Sequence, residues 1–216
     1  MKRVLIIGAN GKIGKILSRK LKDEADFEPV AMLRKPEQAS FFDDLGVERH
    51  VASIEGSVDE IAKIMKETDA VVFTAGSGGN TGHDKTLTVD LDGAVKSMEA
   101  ARLTDVKRFI MVSALNADDR DLWAASGLEP YYIAKHYADF VLKTTDLDYT
   151  ILRPGRLLDE PGTGMINITY PEKEDGVSRE DVAGVIVQAL KQKDSIGKII
   201  AFNQGKTPLE KALSQG

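Results

Sequence analysis

Short β-branched runs at residues 3–7, 29–33, 47–52, 70–74, 108–112 and 149–152 alternate along this chain with stretches of helical spacing at 12–22, 36–45, 57–67, 85–103 and 131–143. No other feature restricts the fold as tightly. Strands that are apolar throughout are buried on both faces, and successive parallel strands need a crossover, so this alternation predicts an α/β doubly wound parallel sheet with helices on both sides. The connections are short, with no Pro/Ser-rich linker, repeat or low-complexity segment, and residues 1–216 read as one domain. After Arg153 come a Gly/Pro-rich loop at 155–176, a helix from about 178 to 191 and a strand near 198–202. This tail predicts a small C-terminal capping region for a substrate. Residues 155–177 are the candidate substrate or lid loop, and their glycines fit an ordering lid or a plain surface loop.

Composition excludes several functions. The net charge of −5 offers no broad footprint for nucleic acid phosphates or an anionic membrane, which leaves a small molecule as the expected partner. With no cysteine, thiolate catalysis, disulfides and cysteine-ligated metal sites are ruled out. His50, His83 and His136 lack the spacing of a zinc site, so no metal is expected and they read as surface or packing residues. The apolar run at 4–7 is too short for a signal peptide core or a membrane span, and the expected location is the cytoplasm. The expected assembly is a monomer or small homo-oligomer.

The first strand runs directly into Gly8-Ala9-Asn10-Gly11-Lys12-Ile13-Gly14 and then into a helix carrying Ile13, Ile16, Leu17 and Leu21 on one face. In this context Gly8 permits a sharp turn. Gly11 lets the backbone approach a pyrophosphate, and Gly14 lets helix and strand pack closely. Asn10, Lys12 and Ile13 complete the turn at the positive helix end, where the phosphates of a dinucleotide would sit. The second strand ends Ala31-Met32-Leu33-Arg34-Lys35. Two cations and no carboxylate stand where a ribose 2′-hydroxyl or 2′-phosphate is chosen, which points to NADP in preference to NAD.

Further along, the strand ending Val71-Val72-Phe73-Thr74-Ala75-Gly76, the sequence Val112-Ser113-Ala114, the pair Tyr131-x-x-x-Lys135 and the run Tyr149-Thr150-Ile151-Leu152-Arg153-Pro154-Gly155 join the glycine turn. With these motifs, nearly the whole chain resembles the short-chain dehydrogenase/reductase superfamily. The similarity is to its atypical NAD(P)-binding, NAD-dependent epimerase/dehydratase-like branch, NmrA-like in outline. The resemblance implies a Rossmann fold, with Ala75, Gly76 and Pro154 on the cofactor. It also implies that Ser113 binds the substrate oxygen, Tyr131 exchanges a proton and Lys135 holds the nicotinamide ribose. Tyr131 and Lys135, four apart on a helix, share a face, and a neighbouring ammonium favours the phenolate.

One position departs from the pattern: Asp90 stands where extended members often have asparagine. It falls at the edge of the stripe formed by Leu87, Leu91, Ala94 and Met98, and either ties to a backbone group or Lys135 or alters the proton relay. The implied function is an NADP-dependent oxidoreductase or epimerase acting on a small carbonyl or alcohol. The alternative is an NADP-sensing regulatory protein without turnover, and flavin reduction is a third option. Trp123, between Ser113 and Tyr131, lines the substrate pocket or packs in the interior.

Overall fold

The computed structural model of the protein describes residues 1–79, 81–168 and 176–213. From the N-terminus the elements are β1 (Lys2–Ile7), α1 (Lys12–Lys22), β2 (Phe27–Leu33), α2 (Ser40–Leu45), β3 (Glu48–Val51), α3 (Val58–Met65) and β4 (Ala70–Phe73). The middle of the chain forms α4 (His83–Lys85), a π-helical turn at Thr86–Leu91, α5 (Asp92–Leu103), β5 (Arg108–Val112), α6 (Arg120–Ser126), α7 (Glu129–Thr144) and β6 (Asp148–Pro154). The remainder forms β7 (Leu157–Leu158), β8 (Met165–Asn167), β9 (Val177–Ser178), α8 (Arg179–Lys191), β10 (Lys198–Gln204), β11 (Thr207–Pro208) and α9 (Leu209–Ala212).

The main sheet has the order β11-β8-β10-β6-β5-β4-β1-β2-β3. From β3 to β10 all pairings are parallel, and β8 and β11 add an antiparallel edge. The order reverses between β1 and β4, which creates the crevice at the carboxyl ends of the strands where doubly wound sheets bind ligands. Strand pleating explains the two cores. In β1, Val4 and Ile6 face one layer with Leu17, Leu21 and Val185, whereas Leu5 and Ile7 face the other with Ile61, Met98 and Leu142. A half-buried cation ties β5 and β6 to the end of α8: Arg108 donates to the Asp148 and Ala189 carbonyls and to Thr150 and Ser195, and its partial burial lowers its pKa to about 10.

Local chemistry refines several boundaries. The expected helix at 36–45 is divided into a 3₁₀ turn at Pro36–Gln38 and α2, because the Gln38 side chain accepts from the Arg34 and Lys35 amides and curls the chain back. The interval between Ser113 and Tyr131 contains α6, capped by Asp119, which accepts from Asp121 N and Leu122 N. Within it Trp123 is only 3% exposed, donates to the Asn116 carbonyl at 3.1 Å and packs edge-on to His136. Trp123 therefore packs in the interior and does not line the cleft.

The expected helix at 85–103 begins as a π turn. One extra residue in that turn shifts the phase upstream, so Leu87 is 52% exposed while Thr86 and Val89 are buried.

In the segment 155–177, β7 pairs with β9 and β8 with β10, and residues 169–175 lie outside those described. Asp181 accepts from Thr163 N, Gly164 N and Ser178 Oγ, and Glu180 accepts from Gly162 N. Among the described residues no helix is long and apolar enough to cross a membrane.

Candidate functional site

The turn after β1 is built by close approach. Gly8 has φ +88°, and a Cβ there would lie 2.6 Å from Ala75 N, so β1 and β4 can end side by side only with glycine. At Gly14 a Cβ would meet the Gly8 carbonyl at 2.5 Å and Ala9 Cα at 2.6 Å. A Cβ at Gly11 would meet only the Gly8 carbonyl, at 3.2 Å. Gly8 and Gly14 thus close the turn, and Gly11 leaves its outer face clear as the N-cap of α1.

Two connected cavities open along this turn. The first, of about 290 Å³, is lined by Gly8, Asn10, Gly11, Met32, Arg34 and Glu55 among others, and the second, of about 550 Å³, by Lys12, Ile13, Asp90, Ser113, Tyr131 and Lys135 among others. Gly11, Ala75, Gly76 and Ser77 border both, so they form one cleft. Its glycine cradle suits an extended dinucleotide, and the cleft runs from Arg34 at one end to Tyr131 at the other. The Arg34 guanidinium makes no ion pair among the described residues. Glu55 nearby is engaged at 2.7 Å by both Lys85 Nζ and Thr88 Oγ1, which hold its carboxyl below the usual range. Lys35 and Pro154 do not border the cleft. Lys35 is exposed beyond Arg34, and Pro154 ends β6, with its carbonyl accepting from Leu115 N.

Ser113, Tyr131 and Lys135 meet on the floor of the larger cavity. Ser113 follows β5 and is fixed by its amide, which donates to the Leu152 carbonyl at 2.7 Å. Pro130, in the first turn of α7, starts the helix that carries Tyr131 and Lys135. Lys135 Nζ donates to the Val112 carbonyl at 3.3 Å, stands 3.3 Å from Asp90 Oδ1 and lies 5.7 Å from the centre of the Tyr131 ring. Asp90 is 1% exposed, and its other oxygen accepts from Ser77 N at 3.0 Å. It makes both contacts open to it in the sequence, to a backbone group and to Lys135, because the π turn directs it inward.

Electrostatics modify one expectation. Burial raises the Tyr131 pKa; Lys135 opposes this, but Asp90 adds to it, and Tyr131 holds its proton more tightly than a free phenol. Burial alone would lower the Lys135 pKa, yet Tyr131 and Asp90 outweigh it and keep the ammonium charged.

Three other groups at or beside the cleft were not legible as site residues. Asp139, one turn after Lys135 on the same face of α7, accepts from Arg153 Nε at 2.9 Å, and Arg153 in turn contacts Asp118 at 2.7 Å. Burial raises the Asp139 pKa against the opposing influence of Arg153 and Ser113. The i, i+4 spacing was the available signal. His83, read from sequence as a surface or packing residue, borders the cavity, as does Arg179 from α8. Nothing local to those two residues marks them. No cluster capable of holding a metal occurs among the described residues.

The profile of the NAD(P)H-binding family matches residues 8–193. The chain is 47% identical over 213 residues to the uncharacterized sugar epimerase YhfK of Bacillus subtilis, covering 99% of both chains. A solved structure from Bacillus halodurans, provisionally named an NAD-dependent epimerase/dehydratase, is 40% identical and covers 100% of both chains with a TM-score of 0.94. A short-chain dehydrogenase/reductase from Veillonella parvula, solved in complex with NADP, shares the fold at 21% identity, covering 96% of both chains with a TM-score of 0.75. The chain belongs to the NAD(P)H-binding family.

Proposed function

We propose that the protein is an NADP-dependent oxidoreductase that reduces a small carbonyl compound or oxidises the corresponding alcohol. The observation that carries this reading is the convergence of Ser113, Tyr131 and Lys135 in the same cleft as the glycine turn. The backbone of Gly8, Asn10, Gly11, Lys12 and Ile13, with Ala75 and Gly76, holds the dinucleotide while Gly14 closes the turn behind it, and Arg34, free of ion pairs among the described residues, receives the 2′-phosphate. A bound nicotinamide supplies hydride chemistry. Ser113 Oγ positions the substrate oxygen, and Tyr131 Oη gives it a proton in reduction and takes one in oxidation. Lys135, held by Asp90 and the Val112 carbonyl, fixes the field around Tyr131. The segment around Leu157 covers the reacting end. A tyrosine that keeps its proton suits the reducing direction.

The test is NADPH oxidation against a panel of small aldehydes, ketones, quinones and flavins. Tyr131→Phe should leave NADP affinity nearly unchanged and lower turnover by roughly 10²–10⁴-fold, the usual worth of general acid–base catalysis. Turnover that survives this substitution removes the tyrosine from the mechanism. The second reading, an NADP-sensing protein without turnover, is favoured by the engagement of Lys135 with a buried carboxylate. Tight NADP binding with no turnover across the panel would select it.

A further inference from the structure

Lys12 and Arg179 border the larger cavity from the neighbouring helices α1 and α8 and close on one carboxylate. Lys12, the first residue of α1, places Nζ 2.5 Å from Asp159 Oδ2, and Arg179, the first residue of α8, places Nη1 2.7 Å from Asp159 Oδ1. The two cations use different oxygens, so one carboxylate engages both. Their combined influence, with the Lys12 hydrogen bond foremost, holds the Asp159 carboxyl below its usual range.

Lys12 and Arg179 also border a second cavity, of about 460 Å³, on the far side of Asp159, beside Leu158, Pro161 and Glu180. The triad is therefore the partition between the cleft and this second space. The cleft that Lys12 and Arg179 border is lined in part by the apolar groups Val112, Leu128, Pro130 and Leu157. Lys12 and Asp159 are both well exposed, and water screens exposed ion pairs so that they hold only weakly. An anion arriving from solution can therefore compete with Asp159 for the two cations. It would meet two cations already spaced for the two oxygens of a carboxylate.

From this partition and its apolar approach we infer that the substrate carries a carboxylate on an apolar, carbonyl-bearing body, and that this carboxylate displaces Asp159 from between Lys12 and Arg179. The exchange is ionic and makes or breaks no covalent bond. Displacement joins the cleft to the second cavity, so the substrate can be longer than the cleft alone would hold. The inference rests on the carbonyl-reducing reading of the cleft and names the substrate class for it.

The experiment separates the two. 4-Formylbenzoate and 4-formylbenzamide, alike in shape and different in charge, are titrated calorimetrically into protein saturated with oxidised NADP, so binding is read without reduction. The benzoate should bind about tenfold more tightly, the effect of one charge-assisted hydrogen bond. Arg179→Gln should abolish that preference without altering NADP affinity or melting temperature, Arg179→Lys should restore part of it, and Asp159→Asn should strengthen benzoate binding several-fold. Equal affinity for the two probes, no binding of the benzoate, or a preference that survives Arg179→Gln would overturn the inference. A loss of NADP affinity in Arg179→Gln would overturn it as well, by assigning the cation pair to a cofactor phosphate. Intact benzoate preference with no turnover on any carbonyl would strike the reductase reading and leave the carboxylate site standing.

Discussion

Asp90 Oδ1 stands 3.3 Å from Lys135 Nζ, and both side chains are nearly excluded from water. The same carboxylate receives the Ser77 amide, so one buried group secures both the lysine of α7 and the loop after β4. Breaking a buried pair leaves the remaining charge uncompensated, at a cost of about 3–5 kcal/mol. Asp90→Ala should therefore lower the urea unfolding midpoint substantially. Asp90→Asn, which can still accept from Ser77, should lose less. An alanine variant as stable as the parent would mean that the pair contributes nothing to folding.

The glycines of the first turn should separate by their surroundings. A Cβ at Gly14 collides with backbone at 2.5–2.6 Å, so Gly14→Ala should destabilise the fold by roughly 1–3 kcal/mol, the range for overpacking. At Gly11 the single close atom is 3.2 Å away, and Gly11→Val should keep its circular dichroism spectrum while losing dinucleotide binding. Wild-type NADP affinity in Gly11→Val would place the cofactor elsewhere.

Arg34→Ala should weaken NADP binding by roughly 1.5–3 kcal/mol, a tenfold change or more, because a charge-assisted phosphate contact is lost. Affinity for NAD, which has no 2′-phosphate, should hardly change. Calorimetric titration of both dinucleotides checks this, and an equal loss for the two would take Arg34 away from the phosphate. Lys35→Ala should have the smaller effect, since Lys35 does not border the cleft.

The direction of the Tyr131 shift fixes a pH dependence. Reduction requires the protonated phenol, which is present below its pKa and lost above it. Since that pKa is raised, kcat/KM for carbonyl reduction should stay level through neutrality and fall only above about pH 10, the value of a free tyrosine. Asp90 is one of the groups that raise it, so Asp90→Asn should move the falling limb to lower pH. A profile falling near neutrality, or a limb unmoved by Asp90→Asn, would contradict this electrostatic account.

The parallel sheet and its crevice were legible because their signals are local: β-branched runs, helical periods and a glycine turn directly after a strand. Ser113, Tyr131 and Lys135 were legible for the same reason, each lying at a strand end or at i, i+4 on one helix. The inward turn of Asp90 was only half legible, since a regular α-helical phase puts Leu87 on the apolar stripe, and the π turn moves it to the surface. Arg179 and His83 were not legible. Arg179 lies 167 positions from Lys12 in sequence, and only the docking of α8 beside α1 brings their side chains to one carboxylate. Trp123 was ambiguous because an aromatic residue between two site motifs serves packing as readily as binding, and the partner that decides it, His136, lies a helix away.

Asp159 lies between two anchors. On one side the pairing of β7 with β9 holds Leu157 and Leu158, and on the other Glu180 holds the Gly162 amide at 2.9 Å. The backbone between them, Asp159-Glu160-Pro161, has a contour of only about 10 Å and little slack to swing away from the cleft. Release of the carboxylate is thus a matter of side-chain rotation, which takes picoseconds to nanoseconds for exposed groups, whereas domain-scale closure takes microseconds or longer. On the inference above, a substrate carboxylate would wait for a side chain to rotate and not for the backbone to open.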